Sequence, residues 1–370
     1  MKNLVKAVAI SAIMLSGMAV ASGPTLYGKI HTSVDVMDNG GSNSDNSQYN
    51  ETSVNSNASR IGVKGSEDVG NGMKVGYLIE WEVDMDGDSN DMGVRNRAVT
   101  LSGDWGTALV GKWDTPFKVL GRKVDLFGDQ VGDLRNMTSV NTAGKYMGIN
   151  YKVSGETIDN RWDNVIQYVS PDMSGFKLAV AYSTDTDTDG VYSGVEDSGD
   201  NQDNDGYSAS AVYERNQYMV GLGYVSTDSN GIKGDSDDQK AWRIAGSYMP
   251  TTDIDLVVSY TDIDNMFFDK NRDTNVASVG GSYQMGNNKL KVQYAIRDDF
   301  DGTNDTGASM TTIGLDHSFS KRTEMYVAYS MVDNDDVSGT TPWLASHDSN
   351  ALGSVGDDSD VLSIGIIHKF

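Results

Sequence analysis

Along most of the chain apolar and polar residues alternate one for one, the period of an extended strand whose two faces meet different surroundings. In 217–225 one parity reads Tyr218, Val220, Leu222, Tyr224, and the other reads Gln217, Met219, Gly221, Gly223, Val225. The apolar row carries a tyrosine at each end. The pattern returns in Met73, Val75, Tyr77, Ile79 and Trp81, set against Lys74, Gly76, Glu80 and Glu82. It returns again from Phe176 to Tyr182, Trp242 to Tyr248, Ile254 to Tyr260 and Leu290 to Ile296. A β-sandwich also alternates, but its core gives no reason for aromatics at both strand ends. A strand that crosses a bilayer does, because aromatic rings settle at the two interfaces.

The connections sort into two kinds. Tight ones fall at 66–72, 102–107, 170–175, 214–217, 249–253, 284–288 and 320–323. Long ones, rich in Asp, Asn, Gly and Ser, span 37–57, 84–93, 114–160, 184–206, 226–239, 263–274, 298–309 and 333–360. The two kinds alternate, as in barrels with short turns on one side of the membrane and long loops on the other. Eight long loops and seven turns join sixteen strands, so the expected fold is all-β: a 16-stranded antiparallel transmembrane β-barrel with an aqueous lumen. Segment 145–153 also alternates, but counting it would make the strand number odd. It is therefore assigned to the long 114–160 connection.

The remaining features narrow the class. Residues 22–370 contain no apolar run long enough for a membrane helix. Met1–Lys6 carries two lysines, Ala7–Met18 is apolar or small, and Ala19-Val20-Ala21 offers small residues for cleavage. Residues 1–21 are therefore expected to be a secretory signal peptide and 22–370 one barrel domain. Cysteine is absent, which excludes thiol chemistry and Cys-bound metal. With 29 basic against 53 acidic residues, nucleic acid is an unfavourable partner.

These features together resemble the general porins of Gram-negative outer membranes, the trimeric sixteen-stranded family. The resemblance rests on Leu26-Tyr27-Gly28-Lys29, on the run from Ser59 to Asp68, and on Gly106-Thr107 and Gly111-Lys112. It continues in Tyr168-Val169-Ser170-Pro171 and in the closing Gly365-Ile366-Ile367-His368-Lys369-Phe370. It implies a third loop folded into the barrel, whose acids, Asp129 and Asp133, face a basic wall of Lys29, Arg60 and Lys112. Arg95, Arg97 and Arg161 join that wall by lumen parity. Lys112 stands where the family has arginine, and the loop lacks the family's Pro-Glu-Phe-Gly-Gly form. The resemblance also implies a homotrimer in the lipid and lipopolysaccharide of the outer membrane, with Phe370 as assembly signal.

Other chemistry is sparse. Asp185, Asp187, Asp189 and Glu196 fit a calcium-loop spacing, although a solvated acidic loop produces the same pattern by composition. No cofactor is otherwise implied. The four histidines are scattered, and no nucleophile motif or phosphate loop occurs, so the expectation is a channel rather than an enzyme. The expected function is passive diffusion of small hydrophilic solutes and ions. The alternatives are a porin specific for a sugar or an anion, and a non-conducting surface protein or adhesin. Segment 184–206 holds eight acids and segment 333–360 seven, neither with Lys or Arg, so an acidic mouth is set against a basic wall.

Overall fold

The computed structural model describes residues 22–41, 50–87, 92–138, 143–146, 149–152, 158–186, 205–228, 237–343 and 353–370. The expected signal segment 1–21 lies outside them. Six strands open the chain: β1 Ser22–Asp38, β2 Asn50–Ser56, β3 Arg60–Gly70, β4 Met73–Glu82, β5 Val94–Gly103 and β6 Gly106–Asp114. A long inward connection follows, holding α1 Pro116–Gly121, α2 Arg135–Thr138 and the strands β7 Ala143–Tyr146 and β8 Ile149–Lys152. The wall resumes with β9 Arg161–Val169, β10 Phe176–Asp185, β11 Gly206–Arg215, β12 Tyr218–Thr227 and β13 Gln239–Tyr248. It is completed by β14 Ile254–Asp264, β15 Thr274–Met285, β16 Asn288–Arg297, β17 Ala308–Ser318, β18 Thr323–Asn334 and β19 Ser359–Lys369.

Strands β2 and β3 are two lengths of one wall strand. Both pair with β1, and the break between them holds Ala58 at φ 51°. Strands β7 and β8 pair only with each other, so segment 145–153 contributes to a hairpin in the loop and not to the wall. Sixteen antiparallel wall strands remain, as the alternation predicts. β6 pairs with β9 across the long connection, and β1 pairs with β19 to close the sheet. Closure leaves no unpaired edge, which hydrocarbon would not tolerate.

Burial is inverted relative to a water-soluble fold. The outward rows are apolar and bare, with Val258 54% and Ile364 47% exposed. Aromatic pairs mark their ends: Tyr218 stacks on Tyr248 at a centroid distance of 4.8 Å, and Tyr224 meets Trp242 at 4.5 Å. The buried apolar side chains lie inside, where the long connection packs against the wall. Thr115 caps α1 by accepting a hydrogen bond from the Lys118 N–H at 3.2 Å, and Pro116 takes the first turn, where no N–H is needed. The helix then lies against β12, where Gly221 makes room. A Cβ at Gly221 would fall 2.3 Å from Leu120 Cδ1.

Residues 338–343 of the last long connection also turn inward, although its acidic sequence reads as part of the mouth. Trp343 is fully buried with Met37, Phe127, Val131, Tyr326 and Val361. Met266, Phe267 and Phe268 likewise enter the main apolar cluster with Phe117, Met137 and Ile158. The transfer of these side chains out of water is what draws polar-looking loops into the barrel.

Candidate functional site

The inward connection leaves β6 at Asp114 and returns to β9 past Asp159, fastened to one side of the lumen. Near its base, Arg243 of β13 grips Asp159 through two hydrogen bonds, Nη1 to Oδ1 at 2.6 Å and Nη2 to Oδ2 at 2.8 Å. Thr138 Oγ1 donates to the same carboxylate at 2.8 Å. At its tip, Gln293 of β16 accepts from the Leu126 N–H at 2.9 Å and donates to the Gly132 carbonyl at 3.2 Å. Lys291 Nζ donates to Gln130 Oε1 at 2.8 Å, pairs with Asp316 at 3.1 Å and sits 4.4 Å from the Phe127 ring centroid. The Pro342 carbonyl accepts the Gly132 N–H at 2.7 Å.

The tip turns through Asp129, whose φ of 62° is a left-handed conformation that Asp adopts more readily than bulky residues. Four cations converge on its carboxylate: Arg122 at 2.7 Å, Lys29 at 2.8 Å, Arg135 at 3.4 Å and Arg60 at 3.6 Å. Burial alone would raise the pKa of Asp129, but Arg122, Lys29 and Arg60 hold it well below the ordinary carboxylate range. Asp133 behaves alike. Arg135 forks onto both of its oxygens, Nε at 3.0 Å and Nη2 at 2.7 Å, and Arg135 with Arg122 outweighs the cost of burial, so its pKa is lowered. Asp125 accepts the Phe127 N–H at 2.9 Å and the Leu134 N–H at 3.3 Å. Burial, and then the Asp133 carboxylate, push its pKa up to about 7.

Lys29, Arg60, Asp129 and Asp133 thus meet at one point. Arg95 and Arg161 stand on the neighbouring wall with acids of their own. Arg95 pairs with Glu80 at 2.7 Å and Glu82 at 3.0 Å, while Arg161 pairs with Asp114 at 3.2 Å and donates to Asn96. Arg97 and Lys112, expected on the lumen wall, lie on the outward face instead. The register between β4 and β5 shifts between Ile79 and Trp81, so Arg95 and Arg97 leave opposite faces of the sheet. Arg97 is paired with Ile79, which is 38% exposed, and its guanidinium carbon lies 5.4 Å from the Trp81 ring centroid. Lys112 shares the parity of Val110, 60% exposed, and pairs with Asp163 at 2.8 Å.

Asp185, of the calcium spacing, accepts a hydrogen bond from Asn164 at 3.4 Å. Asp187, Asp189 and Glu196 lie outside the described residues. Among the described residues no cluster of three or more His, Asp or Glu side chains could hold a metal ion. Phe370 exchanges two backbone hydrogen bonds of 3.1 Å with Gly28, and its ring covers that glycine at the β1–β19 seam.

The pattern of alternation gave no sign of Arg122 and Arg135, because they sit in the loop where no strand parity applies. Arg243 and Lys291 have inward parity in β13 and β16, but nothing in the sequence says that a loop covers them. Chemically, the cluster places two carboxylates among four cations beside a water-filled lumen. An excess of fixed positive charge at such a point attracts anions and orients dipolar solutes.

A model of the Gram-negative porin family matches residues 7–337. Outer membrane porin protein 32 of Delftia acidovorans is 27% identical, over 98% of this chain and 99% of the relative. A major outer membrane protein P.IB of Neisseria meningitidis serogroup B is 25% identical, over 89% of this chain and 92% of the relative. Among solved structures, an anion-selective porin from Comamonas acidovorans superposes with a TM-score of 0.75 at 23% identity, covering 94% of this chain and 99% of that one.

Proposed function

The chain belongs to the Gram-negative porin family and forms an outer-membrane channel for passive diffusion of small hydrophilic solutes and ions, and on that premise we propose that the cluster around Asp129 is its selectivity point. The observation that carries the proposal is the imbalance of charge there. Asp129 and Asp133 are outnumbered by Lys29, Arg60, Arg122 and Arg135, all within 4.0 Å of one or the other. The constriction therefore favours anions.

The mouth opposes it. The exposed acids Asp333, Asp335, Asp336 and Asp358 attract cations in dilute salt, as does the acidic sequence of 184–206, but a field in open water is screened beyond about 8 Å at physiological ionic strength. Charges enclosed by the barrel are screened less. The channel is therefore expected to lean toward cations at low salt and toward anions as salt rises. Reversal potentials under a fixed salt gradient at two mean concentrations decide this, and a ratio that ignores salt would rule out a contest of two fields. Arg60→Ala should move the ratio toward cations at both concentrations.

The proposed assembly is a homotrimer. Support comes from the outward face of β4 to β9, where Trp81, Arg97 and the Lys112–Asp163 pair would be costly to leave against hydrocarbon. The Arg97 Nε finds no acceptor among the described residues, which suits a face completed by another copy. Phe370 seals the seam from the same sheet. Native mass spectrometry of the detergent-extracted protein tests the trimer. Arg97→Glu should weaken the heat stability of the oligomer, and deletion of Phe370 should lower insertion yield.

A further inference from the structure

We infer that Arg243 is a positioning residue for the constriction: its ion pair with Asp159 locks the base of the inward loop and thereby sets the aperture. The inference rests on the channel reading but not on the charge selectivity proposed above. Arg243 projects from β13 into the space between wall and loop and is 3% exposed, so it stands outside the path of a permeating ion. From there it touches both limbs of the loop. On the outgoing limb its Nη1 donates to the Phe117 carbonyl at 3.4 Å, and its guanidinium carbon lies 4.1 Å from the Phe117 ring centroid. On the returning limb it forks onto Asp159. Its Nε is held by Thr261 Oγ1 at 2.9 Å, so the side chain has one orientation.

The planar fork matters because a single ammonium cannot bond both carboxylate oxygens and stack on a ring at once. Burial makes the pair all-or-none. With both partners present the charges satisfy each other, and with one removed the other is left desolvated and draws water in. Since α1 and the returning limb have no other ionic tie to β13 among the described residues, loosening this pair frees the loop base to move into or away from the lumen. Gly121 supplies a neutral way to disturb it. A Cβ there would lie 2.2 Å from Arg243 Nη1 and 3.3 Å from Asp159 Oδ1, so a side chain must displace the guanidinium.

The experiment compares wild type with Arg243→Gln, Asp159→Asn, Gly121→Val and Arg243→Lys in planar bilayers and in liposomes swollen by sugars of graded size. A positioning role predicts one phenotype from three chemically different changes. Loss of the cation, loss of the anion and the neutral steric change should each give a noisier open state and a size limit altered in the same direction. The swelling rate for the sugar at the wild-type limit should change severalfold, and Arg243→Lys should recover part of it. If Arg243→Gln fails to insert, Gly121→Val and Arg243→Lys still test the clamp. Opposite shifts in ion preference from Arg243→Gln and Asp159→Asn at an unchanged size limit would overturn the inference, because the pair would then be pore charge. Wild-type noise and size limit in every variant would overturn it too. A wild-type protein that did not conduct would overturn the channel reading itself.

Discussion

Two stretches of the barrel wall project cations inward and use them differently. On β13 and β16, Arg243 and Lys291 are buried beneath the inward loop, each matched to an acid and to an aromatic ring. On β3, Arg60 lies beside the charged tip of the loop with its side chain 15% exposed, against 3% for Arg243 and 4% for Lys291. The difference lies in what covers the side chain. Under the loop, water is excluded and the cation becomes a fastener whose field is spent on one partner. Beside the open lumen, the same kind of residue keeps part of its field for passing ions.

The largest test of that contrast is at the point where the two regimes touch. Asp129→Ala would leave Lys29, Arg122, Arg135 and Arg60 facing one another across a vacated site. Removing one partner of a buried ion pair costs about 3–5 kcal/mol. The thermal midpoint should fall and the reversal potential should move strongly toward anions, and an unmoved reversal potential would detach Asp129 from the conducting path. Next in size is a paired comparison. Arg60→Ala should change the permeability ratio while leaving open-state noise near wild type, whereas Lys291→Met should do the reverse. Identical phenotypes in bilayer recordings would erase the distinction between the walls.

The smallest expected effect is of pH. Asp125 has its pKa raised to about 7 by burial and by Asp133. Relative to an unfolded carboxyl near 4, the folded state then binds more protons between about pH 4 and 7. Its contribution to stability therefore declines as pH rises through that window and is level above it. Asp129 and Asp133 have the opposite sign, and their contribution is lost only as pH falls through their depressed values. In function, ionising Asp125 adds a negative charge near the tip. The anion preference at high salt should be slightly weaker at pH 8 than at pH 6, and Asp125→Asn should reduce that difference. A wild-type ratio constant from pH 6 to 8 would show that Asp125 does not act on the lumen.

What the chain discloses before folding follows the same division. Wall strands are legible because lipid on one face and water on the other impose a two-residue period on every one of them. Parity then places Lys29 and Arg60 correctly inward, but it fails at Arg97. One irregular step between Ile79 and Trp81 reverses every later side chain on the pair, and no residue near it announces the step. The loops are harder still. The connection 333–360 is acidic and rich in Ser and Asp, yet a single Trp343 decides that part of it packs inward. Arg122 and Arg135 gain their place from the fold of the tip, through contacts such as Asp129 N–H to Asp133 Oδ2 at 2.9 Å, and no period encodes that.

The seam between β1 and β19 joins Lys29 to Lys369 and Asp38 to Asp360. In time rather than space, this means that the first wall strand waits for the sixteenth. Contacts that span so much of a chain form slowly, and until they form, two rows of unpaired N–H and C=O groups remain open to any other extended chain. A polypeptide halted one strand early is therefore an open ribbon with two adhesive borders, and not a weaker cylinder. Closure of the sheet, and not the number of its strands, is what removes those borders.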